Sequence, residues 1–334
     1  MSVNNSNNNP NSNSQQNPQN NNIINNQMEQ MNNPQNNGIR NEQSFNKNPN
    51  SNQTGQNNNS QSNNNNLTEE EKKKIEEREK VRLNYEMSIE YENAIRQEIE
   101  LTTPLVSDEL PTSILLEDYK LNQEYSNSIK QITDKYKYIR KVRRDGNCFY
   151  RSFIYRIFEY ICIKNNKNLY ERMINKIKEA KDLTQRNGYD WAFIGDFYNI
   201  FYMEFHHCFN SIEACQISVR DYLDKLFSDK EKGNYLIYFI RFCIAAFLKE
   251  NSFLYEVYVD GPFENWVTRE VEAIDHEADQ IQIMACVNYF DIGVRIEYLH
   301  PYKNETMKFP EDKPDNEIFT TVLFTPGHYD ILYS

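Results

Sequence analysis

Cys148 follows Asp145-Gly146-Asn147 at the head of an apolar run, and His328 and Asp330 stand two residues apart in the last segment of the chain. A cysteine and a distant histidine are the two halves of a thiol nucleophile. The thiolate is the attacking species, and an unperturbed thiol, with a pKa of roughly 8.5, is mostly protonated at neutral pH. A helix N-terminus and a nearby imidazole each favour the thiolate. Gly146 permits a tight turn, Asn147 can cap a helix, and Phe149, Phe153 and Ile157 recur at helical spacing. The spacing therefore predicts a helix whose first turn carries the sulfur, where unpaired N–H groups point.

The other half lies in Pro326-Gly327-His328-Tyr329-Asp330-Ile331-Leu332-Tyr333. Pro326-Gly327 reads as a turn and the rest as a terminal strand. Residues i and i+2 of a strand share a face, so His328 and Asp330 project together. A carboxylate there holds the imidazole in one tautomer and favours its charged form, the part played by the third member of a nucleophile–base–acid triad. The same residues also fit plain structural roles, since a lone cysteine is commonly a small core hydrophobe. A phosphatase-type loop is excluded, because it needs an arginine six residues after the cysteine and Ile154 stands there.

These elements sit in a chain of two compositions. Of residues 1–66, 39 are Asn or Gln, and Phe45 is the only aromatic among them. Such a segment has too little apolar surface to offset its ordering entropy, so a disordered Asn/Gln-rich arm is expected there. Its charges cancel, so the whole net charge of −12 falls on residues 67–334, with 35 basic against 47 acidic residues. An acidic body repels phosphate, which argues against a nucleic-acid binder, and it suits a basic protein partner. Six cysteines, at 148, 162, 208, 215, 243 and 286, have no paired spacing, and no apolar leader opens the sequence. Free thiols in the reducing cytoplasm, and in the nucleus as well, are the expectation. The longest apolar stretch, residues 235–248, is broken by Arg241 and too short to span a bilayer, so no membrane association is expected. His206-His207-Cys208 with Cys215 matches no common zinc spacing, so no metal is expected there, and Trp191 and Trp266 read as core or cleft-wall residues.

Thr68-Glu69-Glu70-Glu71 is a capping-box pattern that opens a charged helix over residues 67–100. Its second half carries Tyr85, Met87, Ile89, Tyr91, Ile95 and Ile99, an apolar flank that either docks on the body or takes a partner. From residue 101 to 334 one domain is expected. Helices are predicted at 122–135, 148–163, 168–186, 191–206, 211–228, 233–250, 264–274 and 278–289. Strands are predicted at 137–142, 292–299, 319–324 and 329–333, and a short extended piece at 257–259. This pattern is α/β, of α+β type, with a small sheet flanked by helices.

Arg144-Asp145-Gly146-Asn147-Cys148-Phe149-Tyr150-Arg151-Ser152-Phe153 and the block from Pro326 to Tyr333 resemble the two signature blocks of the otubains. These are deubiquitinating cysteine proteases of the ovarian-tumour (OTU) class. Tyr136-Lys137-Tyr138-Ile139-Arg140-Lys141, Glu270-Val271-Glu272-Ala273-Ile274 and Ile296-Glu297-Tyr298 resemble further otubain segments, in the family's order over roughly residues 80–334. The resemblance implies an OTU-like fold, with Cys148 as nucleophile, His328 as general base, Asp330 as its orienter and Asp145 at the oxyanion loop through its backbone N–H. It implies hydrolysis of isopeptide bonds at the ubiquitin C-terminus, 48-linked polyubiquitin as preferred substrate, and no cofactor. Ubiquitin and polyubiquitin chains are the implied partners, joined by ubiquitin-conjugating enzymes. Tyr85, Ile89 and Tyr91 on the N-terminal helix are the candidate contacts for a second ubiquitin. The alternative is a non-catalytic ubiquitin-binding regulator that restrains ubiquitin-conjugating enzymes. Because the arm has almost nothing to pack, removing residues 1–66 is expected to leave the melting temperature unchanged. A drop of several degrees on calorimetric comparison would show that the arm is docked.

Overall fold

The computed structural model describes residues 68–210 and 218–334. The expected disorder of residues 1–66 lies outside them, as do Cys215 and the first seven residues, 211–217, of the helix predicted at 211–228. The N-terminal helix, α1, runs from Glu69 to Thr102, and almost its whole length is exposed. Its charged first half is laced by i,i+3 and i,i+4 pairs such as Lys72–Glu69 and Lys74–Glu70. Pairs of this kind support a solvated helix by only ~0.3–0.5 kcal/mol each. Only the C-terminal end of α1 meets the body.

After a two-residue strand, β1 (Leu110–Pro111), and a short helix (Ile114–Asp118), α2 (Ser126–Lys135) leads to β2 (Tyr138–Arg140). The helices that follow are α3 (Cys148–Lys164), α4 (Lys167–Arg186), α5 (Trp191–Asn210), α6 (Val219–Ser228) and α7 (Lys230–Glu250). A one-turn helix (Phe263–Val267) passes into a π-helical turn (Thr268–Glu272), and α8 spans Gln280–Phe290. The chain closes with β3 (Gly293–Tyr298), β4 (Glu305–Phe309), β5 (Ile318–Thr325) and β6 (His328–Tyr333).

The six described strands form one mixed sheet in the order β1-β2-β6-β5-β3-β4. β5 and β3 are parallel and the other neighbours antiparallel. The architecture is the expected one, a small sheet flanked by helices. β1, β4 and the helix at Ile114–Asp118 have no counterpart in the sequence reading. β4 is an edge strand whose Glu305, Thr306 and Met307 are exposed, so it lacks the apolar alternation that marks a half-buried strand. The piece expected to be extended at residues 257–259 is instead a 3₁₀ turn at Glu256–Tyr258. Its Val257 and Tyr258 face solvent with no neighbouring strand, and strand propensity counts for little without pairing.

α3 is the centre of the molecule. Phe149, Phe153, Ile157 and Ile161 are buried as their spacing predicts, but so are Tyr150, Ile154, Tyr155 and Phe158 on its other faces. One side of α3 packs on β5 and β6, and the other sides meet α5, α6 and α7. Phe158 lies edge-on to Phe201, Phe205 and Phe227, with ring centroids 5.7, 5.1 and 6.0 Å away. Near the same contact Cys162 of α3 and Cys208 of α5 are bridged, with Cα atoms 5.9 Å apart. This corrects the expectation that all thiols are free: two helices packed side by side bring together cysteines that no spacing rule links. Among the described residues Cys148, Cys243 and Cys286 are free.

With its ring enclosed by three others, Phe158→Ala is expected to lower unfolding free energy by about 3–5 kcal/mol. Urea unfolding followed by circular dichroism measures this. A loss under ~1 kcal/mol would mean that the cluster collapses around the gap.

Candidate active site

β2 and β6 bring the two halves of the site together. Their antiparallel register pairs Tyr138 with Tyr333 and Arg140 with Ile331. The chain leaving β2 therefore passes alongside the start of β6 on its way to α3. At that crossing the Val142 N–H donates to Asp330 Oδ1 at 2.8 Å. Cys148 is the first residue of α3 and His328 the first of β6, behind the tight Pro326-Gly327 turn in which Gly327 has φ +70°.

His328 and Asp330 share a strand face, and His328 Nε2 lies 2.8 Å from Asp330 Oδ1. An ionised carboxylate only accepts, so Nε2 carries the proton and Nδ1 keeps its lone pair. Nδ1 is buried and has no hydrogen-bond partner among the described residues. The backbone of Tyr329, between the two triad candidates of β6, lies close enough to the Cys148 sulfur to favour its charged form. So Cys148 lies against the His328–Asp330 strand with its thiol directed to the backbone and the imidazole's free nitrogen unused.

Asp145 is held by Arg151 through two parallel bonds of 2.8 Å each, from Nη1 and Nη2, and its Oδ1 also accepts the Asn147 N–H at 3.0 Å. Its own N–H, the expected oxyanion donor, donates to the Arg143 carbonyl at 3.1 Å. Asn147 stands at the N-cap of α3 without making a side-chain cap. Its amide is turned away, with Oδ1 accepting from Arg241 Nε at 3.0 Å and Nδ2 donating to Asp275 Oδ1 at 2.9 Å. Gly146 has φ +74°, and a Cβ there would fall 2.0 Å from the Asp275 carbonyl oxygen. The loop needs glycine for both its conformation and its closeness to a second chain segment.

Residues 98–334 match the family described as Peptidase C65 Otubain. The chain belongs to the otubain family. It is 33% identical over 248 residues to ubiquitin thioesterase OTUB1 of Homo sapiens, a match that covers 72% of this chain and 88% of the relative. It is 32% identical over 248 residues to the otubain-like ubiquitin thioesterase of Caenorhabditis briggsae, covering 69% and 81%. Among solved structures it is similar to a chain of the complex h/ceOTUB1–ubiquitin aldehyde–UBC13~Ub, at TM-score 0.68 and 25% identity, over 75% of this chain and 98% of that one. The complex with UBCH5B~Ub gives the same values.

In this otubain three groups at the site escaped the sequence reading. Lys141 Nζ lies 3.2 Å from Asp330 Oδ2 and 3.0 Å from Asp118 Oδ2, so Asp330 has an ammonium beside it as well as the His328 imidazole. Burial alone would raise the Asp330 carboxyl, but the hydrogen bond and charge of His328, the Lys141 ammonium and the Val142 N–H outweigh it and hold it below its usual range. Arg241 had registered only as a break in an apolar run, and that isolated charge was itself the signal. Asp275 carried none. Trp266, half-buried and stacked on Phe263, lines a cavity of about 590 Å³ beside Gly327 and Tyr329. A second cavity of about 450 Å³ lies against His328 and Asp330, walled by Ile99 and Thr103 at the end of α1. Of the α1 candidates, Tyr85 and Tyr91 are exposed and Ile89 is half-buried. His206 is engaged by Tyr170 Oη at 2.6 Å, and no cluster of three or more potential metal ligands occurs among the described residues.

The helix start was expected to lower the Cys148 pKa, and the opposite holds. Burial pushes the thiol up to about 11, against the smaller downward pull of the Tyr329 backbone, with Asp145 adding to the rise. The thiol is therefore protonated at neutral pH in the free protein. Its alkylation by iodoacetamide is expected to climb about tenfold per pH unit from pH 7 to 9, since rate follows thiolate fraction below the pKa. Peptide mass spectrometry at Cys148 reads this directly. A plateau already reached near pH 7 would show a thiolate paired with imidazolium in the resting protein.

Proposed function

We propose that this otubain is a thiol-dependent deubiquitinase that cleaves isopeptide bonds at the ubiquitin C-terminus, with 48-linked polyubiquitin as its preferred substrate. The observation that carries the reading is the placement of Cys148, at a helix start, against a strand whose His328 and Asp330 are already paired. In the reaction the Cys148 proton passes to His328 Nδ1, the nitrogen left bare by the Nε2–Asp330 bond. The sulfur then attacks the carbonyl of ubiquitin's terminal glycine. Oxygen takes the negative charge and backbone N–H groups of the loop receive it. The Cys148 N–H, in the first turn of α3, has no partner within the helix. The Asp145 N–H joins once it releases the Arg143 carbonyl. His328 then protonates the departing lysine amine, the C–N bond breaks, and a thioester remains. Water, deprotonated by the same nitrogen, attacks the thioester and regenerates the thiol.

Substrate binding has two tasks here. It must bring Sγ and Nδ1 together, and it must free an oxyanion donor. Burial that raises the thiol pKa also shields the pair from water, where an ion pair gains least.

Ubiquitin and polyubiquitin are the partners in this reading, and α1, with Tyr85, Ile89 and Tyr91, takes the lysine-donating ubiquitin. A second reading, restraint of ubiquitin-conjugating enzymes by binding alone, is favoured by the similar solved complexes, which contain UBC13~Ub and UBCH5B~Ub.

Cys148→Ala is expected to abolish cleavage across a panel of diubiquitins while preserving the fold. Retained inhibition of ubiquitin conjugation by that variant would support the second activity. A ubiquitin C-terminal electrophile should label Cys148, and labelling at Cys243 or Cys286 instead would overturn the assignment. Deleting residues 67–90 is expected to slow diubiquitin cleavage several-fold and to spare release of a fluorophore from a single ubiquitin, which needs only the acyl-side site. Equal losses in both assays would mean that α1 merely supports the fold.

A further inference from the structure

We infer that Asp275 is a positioning residue for the loop that carries Cys148, and that Arg96 of α1 holds Asp275 in place. The inference rests on the reading of Cys148 as nucleophile and adds a means by which α1 acts on that site.

Asp275 is half-buried in the segment between the π-helical turn and α8, and it faces two ways. Its Oδ1 accepts from the Asn147 side chain at 2.9 Å, next to Cys148. Its Oδ2 accepts from Arg96 Nη1 at 2.8 Å, across 179 residues of sequence. Its carbonyl oxygen occupies the space a Gly146 side chain would need. Asp275 thus touches both residues between Asp145 and the nucleophile, once by side chain and once by backbone.

The backbone of Asp275 is in the left-handed region, with φ +67°. A non-glycine residue adopts that conformation at a cost and keeps it only where its surroundings over-determine it. Here the surroundings are the loop itself, the Arg96 guanidinium, and the fixed neighbour His276, whose carbonyl accepts from Arg241 at 2.5 Å. Burial and the nearby Asp145 charge push the Asp275 carboxyl up, against Arg96, Asn147 and Arg241. Removing Arg96 takes away the largest of the influences that keep it ionised.

Arg96 is an unusual source for such a contact. Its helix is exposed almost throughout, and the Arg96–Asp275 ion pair is one of the few ties between α1 and the body. Its side chain is 56% exposed, so the pair adds little to global stability. Its effect is local. Without Arg96, Asp275 is free to turn from Asn147, and the loop that must present N–H groups to the oxyanion loses one wall. A displacement on the order of 1 Å at such a loop is enough to cost up to 10²-fold in rate.

The test uses the full-length chain and release of a fluorophore from the C-terminus of a single ubiquitin. Arg96→Gln is expected to lower kcat about 3- to 10-fold with KM within twofold, and Arg96→Lys to recover part of the loss. Asp275→Asn keeps an acceptor for Asn147 and a residue type that tolerates positive φ, so it should match Arg96→Gln, whereas Asp275→Ala should cost more. The double variant Arg96→Gln/Asp275→Asn should be no slower than either single, because both remove one interaction. Glu100→Gln cuts the other ion pair of this helix end, with Lys230 at 3.3 Å, and should leave kcat unchanged. Equal losses for Arg96→Gln and Glu100→Gln would reduce Arg96 to a tether, and multiplied losses in the double variant would make the two residues independent. Either result overturns the inference, as does full activity in Arg96→Gln and Asp275→Asn. A wild-type chain that released no fluorophore would instead sink the reading of Cys148 on which it rests.

Discussion

A single buried guanidinium organises the site. Arg241 is 1% exposed in the middle of α7, and among the described residues its hydrogen bonds go to neutral acceptors and to no carboxylate. Its Nε donates to Asn147 Oδ1, Nη1 to the Val271 carbonyl, and Nη2 to the carbonyls of Gly146 and His276, while its plane lies 4.3 Å from the centre of the Tyr150 ring. Burial draws its pKa down, opposed by the neighbouring Tyr150, Asp275, Tyr238 and Asp145. A buried charge left unpaired would cost several kcal/mol, so these neutral acceptors must all stay in place. That demand fixes the two segments that meet over Cys148, residues 145–148 and 271–276. It also explains why Asn147 does not cap α3: its oxygen is committed to Arg241.

The chemistry inherits this rigidity. Cys148, His328 and Asp330 are all nearly fully buried, in a molecule whose largest buried side chains include Arg140, Arg151 and Arg241. The charged form of a buried thiol needs a partner, and in the free protein burial outweighs the Tyr329 backbone and the Arg151 charge that favour it. The His328–Asp330–Lys141 chain is complete up to Nδ1 and stops there. An acyl group bound between Sγ and Nδ1 would exclude water and supply the missing contact. The free protein then carries a thiol that is protonated at neutral pH. The raised thiol pKa and the unpartnered imidazole nitrogen are two sides of one arrangement.

The sequence carried the chemistry because that chemistry is local. Cys148 at a helix start and His328 and Asp330 on one strand face follow from spacings of a few residues, and the structure has these elements where they were drawn. The helices from Lys167 to Glu250 were legible for the same reason, since their apolar periodicity is a property of each segment. What was illegible is pairwise and distant. Nothing in Asp275 announces Asn147 or Arg96, and nothing in Lys141 announces Asp330. β1 and β4 exist only because a neighbouring strand offers a ladder. The Cys148 pKa was misjudged in direction because the first turn of a helix was taken as its environment. Burial at the packed junction of α3 and β6 sets it instead.

Distance along the chain is bridged at one place. The three pairs of β2 with β6 join residues 138–140 to 331–333, and the candidate catalytic residues Cys148, His328 and Asp330 hang from the two ends that leave this short ladder. Side chains alternate along a strand, so a slip of one residue would swap the two faces of β6, and Tyr329, whose ring packs on Phe149 in the first turn of α3, would leave that contact. Three residue pairs are too few to hold register alone. The turn Pro326-Gly327 fixes β6 against β5 by pairing Thr325 with His328, and the Val142 N–H bond to Asp330 Oδ1 locks the far side. That bond uses the same carboxylate oxygen that holds His328. The group orienting the imidazole is therefore also the pin that sets the register of the strand bearing it, and a chain misaligned at β2 and β6 has no assembled His328–Asp330 pair to work with.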